Sequence, residues 1–284
     1  MPTKHLEPTP ATGHASGTAP LDGAEPAAVS YRRNGAIGVL TLQRPDNRNS
    51  MTPELLDAFS AAASAARADA RLGVLIVTGQ GSCFSAGADF RSQIQRADPS
   101  RLPHEQSFAM YQPFLQLLDL EVPIIGAFNG HAVGGGFGLA LLCDLRIGAA
   151  NARYGANFVR IGLSPGMAIS YMLPRVVGAQ RATEMLLTGR LLDGAEAVSA
   201  GLLLEALPAE AVLPRAMELA TTIAGNAPLA VRATRRMLAA GLDWDPRAAA
   251  RREAYAQAET IATHDAREGM AALLEKRTPA FVGR

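Results

Sequence analysis

From Val29 onward the chain alternates short apolar runs with segments whose apolar residues recur roughly every three to four positions. Residues 36–42 read as a strand, and the Arg44-Pro-Asp-Asn-Arg-Asn49 segment after them is a loop of turn formers. A helix follows, because Thr52 can cap it, Pro53 suits its first position, and Leu55, Leu56 and Phe59 repeat at helical spacing. Residues 73–78 form an unbroken apolar run, as expected of a strand covered on both faces. The same order returns with a strand at 122–128, a tight helix at 134–143 and another strand at 145–149. Repeated β-α units predict an α/β fold with a mostly parallel sheet.

Beyond about Arg181 the chain is rich in alanine, with helical periods near 181–188, 212–225, 228–240, 247–263 and 265–276. The last third is therefore predicted to be all helix. No repeat of fixed period appears, so a solenoid of the leucine-rich or tetratricopeptide kind is not expected. Residues 1–28 are rich in Pro, Thr, Gly and Ala and hold almost nothing large and apolar, so they cannot offset the entropy of ordering. The expected organisation is a disordered tail at 1–28, a core domain at 29–200 and a helical carboxy-terminal region at 201–284.

Composition narrows the function. With 284 residues and 48% hydrophobic content, the chain can bury a sizeable core. The formal charge is +1 and the basic residues are scattered. That speaks against a nucleic-acid footprint and a membrane-surface patch, and leaves a small, partly anionic ligand. No apolar run reaches about 18 residues and no cationic start precedes a hydrophobic stretch, so neither a membrane span nor a signal peptide is expected. Cys83 and Cys143 lie in apolar stretches without CxxC or Cys/His spacing. Two packed free thiols in a reducing cytoplasm are expected, with no zinc site and no disulfide framework.

Two glycine-rich elements carry the candidate chemistry: residues 79–90, Gly-Gln-Gly-Ser-Cys-Phe-Ser-Ala-Gly-Ala-Asp-Phe, and residues 129–138, Asn-Gly-His-Ala-Val-Gly-Gly-Gly-Phe-Gly. Each follows a predicted strand. Small residues let a ligand approach the main chain, and free N–H groups at a helix start favour an oxyanion. The alternative for each run taken singly is tight packing of helix on sheet.

Taken together, Phe84-Ser-Ala-Gly-Ala-Asp89, Asn129-Gly-His-Ala-Val-Gly-Gly-Gly136, Leu141-Leu-Cys-Asp-Leu-Arg146 and Gly162-Leu-Ser-Pro-Gly166 resemble the crotonase, or enoyl-CoA hydratase/isomerase, family in order and spacing. The resemblance runs from about Val29 to Arg284. It includes Leu187-Thr-Gly-Arg190, Ala195-Glu-Ala-Val-Ser-Ala-Gly-Leu202 and the closing Glu268-Gly-Met-Ala-Ala-Leu-Leu-Glu-Lys-Arg277.

The resemblance implies a crotonase-like spiral of ββα units with a helical carboxy-terminal region that builds a homotrimer or a dimer of trimers. It implies an acyl-CoA thioester as substrate, with CoA as part of that substrate and no separate cofactor or metal. The main-chain amides of Ala88 and Gly135 correspond to the family's two oxyanion donors, and Gly87, Asp89 and Gly134 flank them. The resemblance also implies that the loop around Arg48 meets CoA phosphates or ribose, that Ser85 and Ala86 backbone groups meet the adenine, and that Lys276 reaches a neighbour's CoA. From the residue alone, Arg48 reads equally well as a solvated surface arginine. Asp89 has a plainer role as well, accepting backbone N–H bonds to fix its loop.

The family's hydratases move protons with two glutamates, one three residues after the middle glycine and one before the Leu-Gly-x-x-Pro-Gly-like turn. Here those places hold Gly138 and Phe158, and no Asp or Glu occurs from Leu145 through Thr183. The two-carboxylate hydration mechanism is not expected, and neither is the isomerase variant that needs the second carboxylate. Gly138, Phe158 and Met167 are instead expected to wall the acyl pocket, with Gly138 opening room for a bulkier chain; for Phe158 and Met167 simple core packing is the alternative. Other polar candidates are His104, Tyr111, His131, Tyr154, Asn157, Arg160 and Ser164. Three functions follow: an enolate-stabilising hydratase or isomerase in the broad sense, a thioester hydrolase, decarboxylase or carbon–carbon hydrolase using the same oxyanion donors, or a non-catalytic acyl-CoA binder.

Overall fold

The computed structural model describes residues 27–89, 100, 102–240 and 245–284. The tail expected at 1–28 lies outside the described residues except for its last two. Of these, Ala28 is buried and its carbonyl accepts the Gln43 amide at 2.8 Å.

The chain winds through successive strand–strand–helix turns. Strands β1 (Val29–Asn34) and β2 (Ile37–Leu42) form an antiparallel hairpin, and α1 (Pro53–Ala68) follows. Next come β3 (Val74–Gly79), β4 (Cys83–Ser85) and α2 (Pro103–Leu115), then β5 (Ile124–Phe128), β6 (His131–Val133) and α3 (Gly135–Leu141). A fourth such turn has β7 (Leu145–Ala149), β8 (Tyr154–Gly155) and α4 (Ile169–Val177). One strand of each of the last three turns joins a six-stranded sheet of order β1-β2-β3-β5-β7-β9, while the other joins a small parallel sheet of order β4-β6-β8. The spiral of ββα units expected from the resemblance is therefore present.

The local rules hold where they were strongest. Thr52 Oγ1 accepts the Leu55 amide at 3.3 Å, Pro53 opens α1, and Leu55, Leu56 and Phe59 are buried on one face of it. Residues Val74 to Val77 of β3 and all of β5 are buried, because helices cover the parallel sheet. The core is stitched by edge-on and tilted aromatic pairs, Phe59 with Phe114 at 4.6 Å and Phe84 with Phe128 at 4.7 Å between ring centroids.

The last third is mostly helical: α5 (Ala179–Thr188), α6 (Gly194–Ser199), α7 (Ala209–Ala224), α8 (Pro228–Ala240), α9 (Pro246–Ile261) and α10 (His264–Glu275). It is not all helix. Strand β9 (Glu205–Leu207) adds to the edge of the large sheet beside β7, and α7 packs on β3, β5 and β7. Three residues are too few to show an alternating pattern, which is why the strand is silent in the sequence. No residue of α9 is buried, and Leu238, Tyr255, Leu273 and Leu274 are exposed apolar side chains on this region. Among the described residues no helix is long and apolar enough to cross a membrane.

Candidate active site

Asn49 organises the site from beneath. It is fully buried with φ +52°, a left-handed conformation that asparagine tolerates better than most residues. Its Nδ2 donates to the carbonyls of Gln80 at 3.0 Å and Cys83 at 2.8 Å, and its Oδ1 accepts the Arg44 amide at 2.8 Å. Its carbonyl accepts Ser85 Oγ at 2.8 Å, the Ala86 amide donates to Arg48 O at 3.0 Å, and the Met51 amide donates to Gly87 O at 2.8 Å. The loop of turn formers is thus sewn along the first glycine-rich element. Ser85 is wholly buried, with its hydroxyl turned inward to Asn49, and the Ala86 amide is engaged by Arg48 O, while the Ala86 carbonyl accepts no hydrogen bond among the described residues. Arg48 is exposed at the surface of the same loop.

The second element approaches this one backbone to backbone. The Gly134 amide donates to Gly155 O at 3.0 Å, and with φ +57° Gly134 turns the chain into α3. A Cβ on Gly87 would lie 2.7 Å from both Gly135 N and Val133 O, and Gly87 itself has φ +81°. A Cβ on Gly136 would lie 2.4 Å from Ser85 O, and one on Gly135 would lie 2.3 Å from the buried Met51 sulfur. Only residues without side chains permit contacts this close. The Ala88 and Gly135 amides lie on these two abutting strands of main chain, and among the described residues neither donates a hydrogen bond to another group. For Gly135 this follows from its place in the first turn of α3, where amides have no partner within the helix.

The wall beside them is apolar. A Cβ on Gly138 would sit 2.4 Å from Met167 Cβ and 3.5 Å from Ile169 Cδ1, so the room expected from the glycine is occupied by Met167, which is buried. The Phe158 ring reaches toward Gly134, with Cζ 3.9 Å from where a Cβ would stand, and it is half-buried against the core. Asp89 is half-buried at the end of the first element.

Three of the other seven candidates are engaged by side-chain hydrogen bonds. Tyr154 OH donates to Ala149 O at 2.8 Å, and burial pushes its ionisation well up. His131 Nδ1 accepts the Arg153 amide at 3.0 Å, Arg160 Nε donates to Thr188 O at 3.2 Å, and His104 and Ser164 are exposed. Asn157 O accepts the Arg160 amide at 3.0 Å. The Tyr111 hydroxyl abuts Gly166, 2.2 Å from a Cβ built there, and burial raises its pKa. Burial pushes the Cys83 thiol up to about 11, against the pull of Arg48, and the Cys143 thiol up to about 12, so both stay protonated near neutral pH and neither supplies a thiolate nucleophile. Lys276 is exposed at the end of α10, a helix that packs on α9.

Local pattern gives Asn49 and Met51 no role in the site. Asn49 sits among turn formers, but two of its partners, Gln80 and Cys83, lie more than thirty residues away.

A chain that spirals between a large and a small parallel sheet, and brings two glycine-rich backbones into contact at their junction, is a protein of the crotonase class. The family model for enoyl-CoA hydratase/isomerase matches residues 32–284. The 2,3-dehydroadipyl-CoA hydratase of Escherichia coli is 34% identical over 254 residues, covering 89% of this chain and 97% of that protein. The crotonyl-CoA hydratase of Syntrophomonas wolfei is 34% identical over 258 residues, covering 90% and 98%. The crystal structure of an enoyl-CoA hydratase from Bacillus anthracis superposes with a TM-score of 0.85 at 31% identity, over 90% of this chain and 100% of that one. The chain belongs to the enoyl-CoA hydratase/isomerase family and is an enzyme of that family.

Proposed function

We propose that this enzyme binds an acyl-CoA thioester and stabilises the enolate oxygen formed from its carbonyl with the Ala88 and Gly135 amides, without the two-carboxylate relay of a hydratase. One observation supports this above others: both amides lie on backbones in mutual contact and neither is spent within the described chain. Charge developing on an oxygen between two preorganised N–H groups is stabilised without reorganisation, and losing one such donor typically costs about 2.7–4 kcal/mol of barrier lowering.

The wall argues against water addition. Gly138 and Phe158 carry no ionisable group at the two positions where family resemblance expects glutamates, and Met167 fills the space beside the first. The same oxyanion donors serve thioester hydrolysis, decarboxylation or carbon–carbon cleavage, and this apolar wall favours a reaction of that kind over hydration. Loading the enzyme with crotonyl-CoA and following the conjugated enoyl absorbance tests the point. Binding without loss of absorbance is expected; rapid loss would overturn the exclusion of hydration. Gly135→Pro deletes one donor and is expected to abolish turnover of whichever thioester a mass-spectrometric screen identifies, and full activity would overturn the oxyanion assignment.

We propose further that the enzyme assembles as a homotrimer or a dimer of trimers in the cytoplasm. The exposed Leu238, Leu273 and Leu274 fit burial against neighbouring copies. Sedimentation equilibrium reads the assembly directly, and a monomer at micromolar concentration would overturn it.

A further inference from the structure

Gly138 stands three residues beyond Gly135 in α3, one turn along on the same face. The Gly138 backbone therefore stands about 5 Å from that of Gly135, close to the pitch of one helical turn. The side chain packed against Gly138 is Met167, whose Cβ and Cγ are 2.4 and 3.1 Å from a Cβ built on Gly138. The methionine cannot easily retreat. Its neighbour Gly166 meets the Tyr111 hydroxyl at 2.2 Å from the corresponding built position, so the turn is wedged between α2 and α3. Its own backbone is also unusual, since Met167 and Ala168 adopt φ +57° and +54° in succession. Left-handed geometry is costly at non-glycine residues and persists only where the surroundings enforce it. Here the result is that Met167 is 1% exposed against α3 while Ala168 faces outward.

We propose that Met167 is the residue that closes the acyl end of the site and restricts the enzyme to short acyl groups. This rests on the reading of Gly135 as a thioester-binding amide. An acyl chain leaving that amide along α3 meets Met167 within about one helical turn, which leaves room for roughly four carbons. The glycine at 138 does not widen the pocket, because the bulk it lacks is returned by a side chain from another turn of the spiral.

The test is isothermal titration of butyryl-CoA and octanoyl-CoA into the wild-type enzyme, Met167→Gly and Met167→Ala. Glycine accepts the left-handed backbone without penalty, and alanine removes the bulk while keeping a Cβ. The expected result is a wild type that binds butyryl-CoA at least about tenfold more tightly than octanoyl-CoA. In both variants the ratio shifts toward octanoyl-CoA by about tenfold or more, since each newly buried methylene contributes substantially. A wild type indifferent to chain length, or variants whose ratio stays unchanged, overturns the proposal while leaving acyl-CoA binding intact. A wild type that binds neither thioester overturns the acyl-CoA reading itself, and the role of Met167 with it.

Discussion

Gly87 and Gly135 touch through their main chains: a Cβ added to Gly87 would lie 2.7 Å from the Gly135 nitrogen. The two glycine-rich elements therefore hold one another in place, and the amides of Ala88 and Gly135 inherit their positions from that contact. What the sequence presents as two separate glycine runs is a single backbone junction.

Gly87→Ala is expected to disrupt this junction. The added methyl meets backbone on two sides, Gly135 N and Val133 O, where no flexible side chain can yield, and the residue has φ +81°. Overpacking and left-handed strain together predict a loss of roughly 2–5 kcal/mol in stability. Urea unfolding measures the loss and acyl-CoA titration the accompanying fall in affinity. A variant as stable as wild type would contradict the contact.

Asn49→Ala removes three side-chain hydrogen bonds of a fully buried residue, the one to Cys83 O itself buried, and places alanine in a left-handed conformation. The Gln80 and Cys83 carbonyls and the Arg44 amide lose their partner. A cost of about 2–4 kcal/mol is expected in equilibrium unfolding, because unpaired buried polar groups keep their desolvation penalty. A loss under about 1 kcal/mol would show that the loop is held by other means.

Arg48→Ala separates the nucleotide end of the ligand from the acyl end. If Arg48 meets CoA phosphates, the variant binds free CoA and butyryl-CoA about tenfold more weakly, and the deficit shrinks as salt is raised. A butyryl pantetheine thioester lacking the nucleotide is expected to bind both proteins alike. Equal affinity of wild type and variant for CoA would return Arg48 to the role of a solvated surface arginine.

Asp265 anchors the end of the chain. Its carboxylate accepts the amides of Val282 at 2.8 Å and Gly283 at 2.7 Å, and its own amide donates to Arg284 O at 3.2 Å. Burial alone would raise its pKa, but the two amides and His264 outweigh it, so the folded-state value falls below the ordinary 3.8. The unfolded chain therefore binds this proton more readily than the folded one. The stabilisation is fully present above the unfolded pKa and is lost as pH drops through the lower folded value. Urea unfolding of wild type and Asp265→Asn should differ at neutral pH, with the gap closing below about pH 4. A gap that widens below about pH 4 would contradict the sign.

Much of the architecture was legible because it depends on neighbours in sequence. The Thr52 cap, Pro53 and the spacing of Leu55, Leu56 and Phe59 involve residues within two turns of one another, and α1 formed where they place it. The apolar run of β3 is buried whatever covers it, and the order and spacing of four motifs from Phe84 to Gly166 mark the family. The small sheet was not legible: β4, β6 and β8 are two or three residues long, below the length at which a periodic signal exists. Asn49 was legible as a turn residue but not as the clamp it forms with Gln80 and Cys83.

The sequence by itself determined that no carboxylate stands at positions 138 or 158, because absence of a charge is a property of the residue. Only the tertiary structure decided what replaces it. Whether Gly138 opens a cavity depends on a side chain twenty-nine residues later, delivered by a different turn of the spiral through a left-handed backbone at Met167. Space in a folded protein belongs to every chain segment that borders it, and steric exclusion between distant segments leaves no trace in local pattern.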